Sequence, residues 1–268
     1  KEVKKNKTRI FTYLPSPRIW KALIAADILK LDLDVRADKP KSLGQWIWDF
    51  DAKPLKDLTD ENQILVKGTK GFSNTLKKTK RFLMLNPFGT VPVAFDPKGT
   101  VGIFESNSIL RLITRLGKNK FNLYGKDSFT KSRIDSFLDV SLVFGALTQP
   151  YLLSLSSKKK VQKIIIMAAE NAYTTYMNGI ENSLKLNNTK FLISNNLSIA
   201  DICFFCEYMQ FTLYTSRKPI VSNKYWFNIE KKHKKNYIKA YKLLEKLIKN
   251  KSFKKVTYDT LKSYKYYD

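Results

Sequence analysis

Residues 86–93 read Asn-Pro-Phe-Gly-Thr-Val-Pro-Val, and residues 104–109 read Phe-Glu-Ser-Asn-Ser-Ile. The first stretch predicts a turn that enters a short strand, with Pro92 at the strand entrance, where a missing backbone N–H is tolerated. Residues 96–100 are typical of a hairpin turn, and the second stretch predicts the end of the returning strand and a helix that begins near Ser106. This part of the chain therefore predicts two antiparallel strands followed by a helix.

The residues before this stretch predict a strand, a helix and a second strand. Residues 8–14 are rich in β-forming residues, and residues 31–37 alternate between apolar and polar. Between them Ser16 is suited to cap a helix and Pro17 to occupy its first turn. The chain therefore opens with a β-α-β unit.

Two further segments complete the organisation. Residues 39–80 show no clear periodicity, and we expect a long, partly ordered insertion there, because long loops are usually functional or disordered. From residue 127 onward the pattern is helical. Residues 198–201 read Ser-Ile-Ala-Asp, which predicts a capping box: the Ser198 hydroxyl accepts from the Asp201 N–H, and the Asp201 carboxylate accepts from the Ser198 N–H.

The charge is strongly positive. The chain of 268 residues has 49 Lys and Arg against 23 Asp and Glu, a net charge of +26. Residues 217–268 contain sixteen basic and four acidic residues. This balance predicts a surface that binds a polyanion such as RNA, or an acidic protein. The expected contacts are Lys231, Lys232, Lys234 and Lys235, and the alternative is a solvated helix face.

The quoted motifs resemble those of one protein family. Residues 86–93 and 104–109 resemble the glutathione-site signature of the glutathione transferase superfamily, and residues 198–201 resemble its capping box. Within the superfamily, residues 11–13, 21–26 and 123–125 are similar to the transferase-like domain of the translation elongation factor 1-gamma family.

The resemblance implies an α+β fold in which a thioredoxin-like N-terminal domain precedes an all-α domain like the C-terminal domain of glutathione transferases. The expected bounds are residues 8–117 for the first domain, with the insertion at 39–80, and residues 126–256 for the second. Residues 257–268 are expected to form a basic tail.

The resemblance also implies a glutathione-binding site. Val91 would offer its backbone to the peptide, and Pro92 would be in cis. Glu105 and Ser106 would hold the γ-glutamyl end. No cofactor is expected to be required, and glutathione is the ligand that this site would take.

Catalysis would need a donor that holds the glutathione thiol as thiolate. The resemblance implies Ser16 in that role, with Tyr13 as the second candidate. Cys203 and Cys206 are expected to be small core residues. We expect no metal site, because His233 is the only histidine and further ligands would be needed.

Three hypotheses for function follow. The first is an interaction module of the translation machinery, non-catalytic or weakly catalytic, that forms a homo- or heterodimer. The second is an active glutathione transferase that uses Ser16. The third is a basic subunit of a ribonucleoprotein assembly built on the same fold.

Because the chain begins with Lys1, we expect a processed or trimmed product. We expect it in the cytoplasm without membrane association, and an organelle is the alternative compartment.

Overall fold

Strands dominate the first part of the chain and helices the second. The structure is a computed structural model that describes residues 7–55, 63–69, 72, 74–215, 220–222 and 224–267. Its main elements are, in chain order, β1 (Arg9–Tyr13), α1 (Pro17–Leu29), β2 (Asp34–Asp38), β3 (Trp46–Trp48), β4 (Lys53–Pro54), β5 (Gln63–Lys67), β6 (Thr75–Thr79), α2 (Lys80–Leu85), β7 (Val93–Phe95), β8 (Gly102–Phe104), α3 (Ser106–Leu116), α4 (Ser128–Leu155), α5 (Lys163–Leu186), α6 (Ile199–Thr215), α7 (Ile229–His233), α8 (Ile238–Ile248) and α9 (Lys251–Ser263).

The first sheet has the strand order β2-β1-β7-β8. β1 pairs in parallel with β2 and antiparallel with β7, and β7 pairs antiparallel with β8. Side chains alternate between the two faces of a strand. Accordingly, Ile10 packs in one core with α1, α3 and the helical part of the chain, while Phe11 packs in another. With α1 and α3 on one face of a mixed sheet, this half has the thioredoxin-like arrangement that the family resemblance implies.

A second sheet covers the opposite face. Its order is β4-β3-β6-β5, with β3 parallel to β6 and β5 antiparallel to β6. Trp48 of β3 and Phe82 of α2 pack edge-on at 6.1 Å between ring centroids, and each contacts Phe11. The segment 39–80, which we expected to be a partly ordered insertion, thus contains a sheet in its described residues, because its aromatic side chains bury the free face of the first sheet. Residues 56–62, 70, 71 and 73 lie outside the described residues.

The helical part is built around α4, α5 and α6. α4 is long and apolar enough to cross a membrane by length and composition alone. In this fold it packs against α5 and α6, and Leu138, Phe144 and Tyr151 of α4 lie in their shared core. Such a core helix of a folded domain has the same length and composition as a spanning helix.

Two details of the helical part refine the predictions. The Ser198 N–H donates to Asp201 Oδ2 at 2.9 Å, as the capping box requires, but the Ser198 hydroxyl donates to that same oxygen rather than accepting from the Asp201 N–H. The expected start of a basic tail at residue 257 falls inside α9. Thr257 and Leu261 are fully buried, so residues 257–263 pack as part of this helix.

Candidate functional site

The loop before β7 holds the first set of candidate residues. The Val91–Pro92 peptide bond is cis, and both residues are half-buried. The preceding turn is closed by the Asn86 side-chain amide, which donates to the Thr90 carbonyl at 2.7 Å. Lys78 of β6 donates to the Gly89 carbonyl at 2.7 Å. The second sheet therefore supports the loop that presents the backbone of Val91.

Lys78 is an unusual support for a loop. It is buried, and its ammonium group lies 4.9 Å from the centre of the Trp48 ring. Burial lowers the pKa of Lys78 below its ordinary value. The carbonyl of Gly89 and the face of the indole ring are the partners that compensate this buried cation.

The start of α3 holds the other two residues predicted to bind glutathione. Glu105 is exposed and has φ of 67°, a left-handed conformation that is uncommon for a residue with a side chain. Ser106 is buried, and its hydroxyl accepts a hydrogen bond from Lys21 Nζ at 3.2 Å. The start of α3 follows β8, which pairs with β7, so the structure brings it close to the loop before β7. The Ser106 hydroxyl, however, already has a partner within the chain.

That partner belongs to a buried polar cluster that joins three helices. Lys21 of α1 is fully buried and donates to Asn107 Oδ1 at 2.7 Å and to Glu207 Oε1 of α6 at 2.5 Å. The Cys203 thiol lies 3.4 Å from the same Asn107 oxygen. These side chains, together with Ser106, form the cluster that we call the Lys21 cluster.

Electrostatics in the Lys21 cluster favour a charged lysine. Burial by itself acts to lower the pKa of Lys21, but Cys203 and Glu207 outweigh it, and the pKa of Lys21 is raised. Burial raises the pKa of the Cys203 thiol, so this thiol is neutral at neutral pH. With the thiol neutral, the Glu207 carboxylate is the anion that keeps Lys21 charged at neutral pH.

Ser16 and Tyr13, the candidate catalytic residues, lie in different surroundings. The Ser16 side chain is only 1% exposed, and its hydroxyl has no hydrogen-bond partner among the residues that the structure describes. The Tyr13 ring packs against Phe72 near the second sheet, at 6.1 Å between ring centroids. A hydroxyl that activates a bound thiol has to reach that thiol, and neither group is openly exposed.

The two cysteines are both fully buried and free. Burial also raises the pKa of the Cys206 thiol well above its ordinary value, and thiols of this kind are poor nucleophiles. Within the described part of the chain, no group of three or more His, Cys, Asp or Glu residues is placed to hold a metal ion.

The predicted basic contacts lie on α7 and the turn after it. All four lysines are exposed. Lys232 Nζ is 2.7 Å from Glu170 Oε1, and the Lys234 ammonium lies 5.0 Å from the centre of the Tyr241 ring. These two lysines therefore have partners within the chain, whereas no such contact is seen for the Lys231 and Lys235 side chains among the described residues.

Sequence reasoning missed the Lys21 cluster and the second sheet. Lys21 stands within an apolar helical run, and Glu207 within the apolar stretch of α6. A charge placed in such a run is the signal that could have indicated a buried pair, but the sequence does not show which two charges meet.

No protein-family model matches the chain. Among curated proteins, the chain is similar to elongation factor 1-gamma 3 of Oryza sativa subsp. japonica, with 28% identity over 194 residues, which covers 68% of this chain and 44% of that protein. It is 31% identical over 163 residues to elongation factor 1-gamma 1 of the same plant, covering 58% and 37%. The chain thus spans less than half the length of these relatives.

Solved structures show the fold. Poplar glutathione transferase F1 superposes with a TM-score of 0.62 at 19% identity, covering 96% of this chain and 99% of that one. A glutathione S-transferase-like protein from Lodderomyces elongisporus gives 0.62 at 16% identity, covering 93% and 94%. The chain therefore has the fold of glutathione transferases, and its sequence is similar to that of elongation factor 1-gamma.

Proposed function

We propose that this chain is a protein-interaction module of the translation machinery that has little or no glutathione transferase activity. The observation that carries the proposal is the sequence similarity to elongation factor 1-gamma, which extends over 68% of the chain. The similarity to glutathione transferases alone supports the fold and not the activity, because one fold serves many functions.

The candidate site supports a non-catalytic role. Glutathione binding would require the Ser106 hydroxyl to face the ligand, but this hydroxyl is buried and bonded to Lys21. The Ser16 hydroxyl is buried as well. The backbone of Val91 beside the cis Pro92 fits a peptide ligand, while the two hydroxyls do not. Weak binding of glutathione at the strand edge is thus the most that this arrangement favours.

An exposed apolar stripe on α4 is the surface that we propose for docking. Val140, Val143 and Leu147 are 54%, 57% and 56% exposed. Their spacing of three and four residues places them on one face of the helix. Exposed apolar patches often mark protein–protein contacts, and we propose that this stripe joins two subunits in a homo- or heterodimer.

The test is affinity purification from the cells that make the protein, combined with light scattering of the purified chain. The stripe variant carries Val143→Asp and Leu147→Asp. The matched control carries Leu186→Asp and Ile220→Asp, two residues that are exposed elsewhere at 84% and 66%. We expect translation elongation proteins to accompany the wild type and the control, and to be lost with the stripe variant. A monomeric wild type that enriches no translation protein would refute the proposal.

A calorimetric titration with millimolar glutathione tests the transferase alternative. We expect the calorimetry to show weak binding or none. We expect a parallel ultraviolet titration to show no thiolate absorbance from a bound thiol. Tight binding with a thiolate signal that disappears in Ser16→Ala would instead establish the enzyme. Cell fractionation tests the compartment: we propose the cytoplasm, and enrichment in an organelle fraction would support the alternative.

A further inference from the structure

A narrow cleft in the helical part is lined by lysines. It has a volume of about 150 Å³ and lies between the end of α5, the loop that follows it and α8. Four exposed lysines line it, namely Lys190, Lys239, Lys242 and Lys246. The three on α8 follow one another at spacings of three and four residues, so they lie on one face of that helix.

The backbone that carries these lysines is held in place. The buried carboxylate of Glu181 accepts from the N–H groups of Lys239 and Ala240, at 3.2 and 2.8 Å. The Lys190 N–H donates to Asn195 Oδ1 at 3.0 Å. The Lys246 ammonium lies 3.9 Å from the centre of the Phe191 ring. The fold therefore sets where the backbone presents these lysines, and the Phe191 ring holds the Lys246 ammonium group, so the backbone of the cleft needs little reordering when a ligand binds.

Acidic groups do not neutralise the positive charge of this cleft. Its described lining contains no Asp or Glu, since the remaining lining residues are Leu184, Thr189 and Leu243. Glu181 lies beneath α8, but its charge is already met by two N–H groups and by Lys185 at 3.1 Å. Glu245, also on α8, is not one of the lining residues. The cleft is thus suited to an anion of several charges.

The chemistry of this lining distinguishes RNA from a protein partner. Lysine is depleted at protein–protein interfaces, whose centres are apolar and rich in aromatic residues. Nucleic-acid interfaces are more polar and much more positive. A lysine ammonium binds a phosphate as a point charge, and a phosphate contact carries no sequence information. We infer that the lysine cleft binds the phosphate backbone of RNA without sequence preference, a function beyond protein docking.

The experiment measures the anisotropy of a labelled single-stranded oligouridine between 50 and 200 mM salt. The cleft variant carries Lys190→Gln, Lys239→Gln and Lys242→Gln, which spares the lysine packed on Phe191. The matched control removes the same charge with Lys158→Gln, Lys159→Gln and Lys160→Gln, three exposed lysines between α4 and α5. Each phosphate contact on a single strand contributes about −0.7 to the slope of log K against log[salt]. We therefore expect the cleft variant's slope to be shallower by about 2, and the control's slope to match the wild type.

Thermal melting shows whether the variants are folded. If the triple variant melts lower, the double variant Lys190→Gln/Lys242→Gln takes its place, with an expected slope change of about 1.4. Equal slopes for the cleft variant and the control would overturn the inference. So would absence of RNA binding by the wild type at 50 mM salt, or displacement of the RNA by equal amounts of poly-glutamate, which would indicate an acidic protein as the partner.

Discussion

Replacing Lys21 by Met should lower the free energy of unfolding by about 3–5 kcal/mol, the usual cost of leaving a buried charge without its partner. The Lys21 and Glu207 side chains are 0% and 3% exposed, and their charged atoms are 2.5 Å apart. Methionine retains an unbranched apolar stem but leaves the Glu207 carboxylate without its closest cation. Arg18 can compensate only in part, because its Nε is 3.9 Å from Glu207 Oε2.

A second variant separates the charge effect from a packing effect. In Lys21→Met/Glu207→Met both charges are absent, and replacing a whole buried pair by apolar residues is often neutral or stabilising. We therefore expect the double variant to recover most of the lost free energy, to within about 1–2 kcal/mol of the wild type. The remaining loss would come from Asn107 Oδ1, which loses the Lys21 donor but keeps Cys203.

The assay is urea denaturation followed by tryptophan fluorescence and by helix circular dichroism. Trp20 and Trp48 report on the first half of the chain and Trp226 on the second. A loss below about 1 kcal/mol in Lys21→Met, or a double variant as unstable as the single one, would refute the reasoning.

The pH dependence gives an independent check on the Lys21–Glu207 pair. Because the folded-state pKa of Lys21 lies above its ordinary value of 10.5, the stability from its charge is fully present below that ordinary value. This stability is lost as the pH rises through the folded-state pKa. The difference in the free energy of unfolding between the wild type and Lys21→Met should therefore stay constant from neutral pH to about pH 10 and become smaller above it.

Four further predictions concern single residues. Ser16→Ala should change the free energy of unfolding by less than about 0.5 kcal/mol, because its hydroxyl has no described partner. Thr79→Ala should cost about 1 kcal/mol in the same urea assay, because Thr79 caps α2 by accepting from the Phe82 N–H. Gly102→Ala should cost about 1–3 kcal/mol in thermal melting, because its Cβ would lie 2.2 Å from the Leu85 carbonyl oxygen. NMR titration of the Asp201 carboxyl carbon should give a pKa of about 6, raised from 3.8 by burial. Since the folded-state value is the higher one, the contribution of Asp201 to stability is full below pH 3.8 and is lost as the pH rises through 6; ionisation complete by pH 4 would contradict this.

Local sequence signals predicted the first sheet well. The turn residues 96–100 set the hairpin of β7 and β8, and Pro17 marks the first turn of α1. These features depend on neighbours in sequence, so the residue types alone determine them. The strand expected at 31–37 is shifted to Asp34–Asp38 in β2, because pairing with β1, and not alternation, sets its bounds.

The second sheet depends on contacts that no local pattern shows. β3 has only three residues and β4 only two, too few for an alternation to be recognised. β3 pairs in parallel with β6, about thirty residues later in the chain. The signal that does exist is the aromatic content of residues 46–50, and its meaning becomes clear only when Phe11 is known to lie on the free face of the first sheet.

The candidate site shows how a partner distant in sequence changes the role of a predicted residue. The sequence places Ser106 at the start of a helix, and there the prediction agrees with the structure. Its hydroxyl, however, is bonded to a lysine 85 residues earlier in the chain, and that lysine is held charged by a carboxylate on α6. A hydroxyl enclosed between two halves of a protein stabilises their contact, and to serve a ligand it would have to leave a buried cation with one acceptor fewer. The same α3 start that the family signature marks as a ligand site therefore favours, in this chain, a role in joining the sheet half to the helical half.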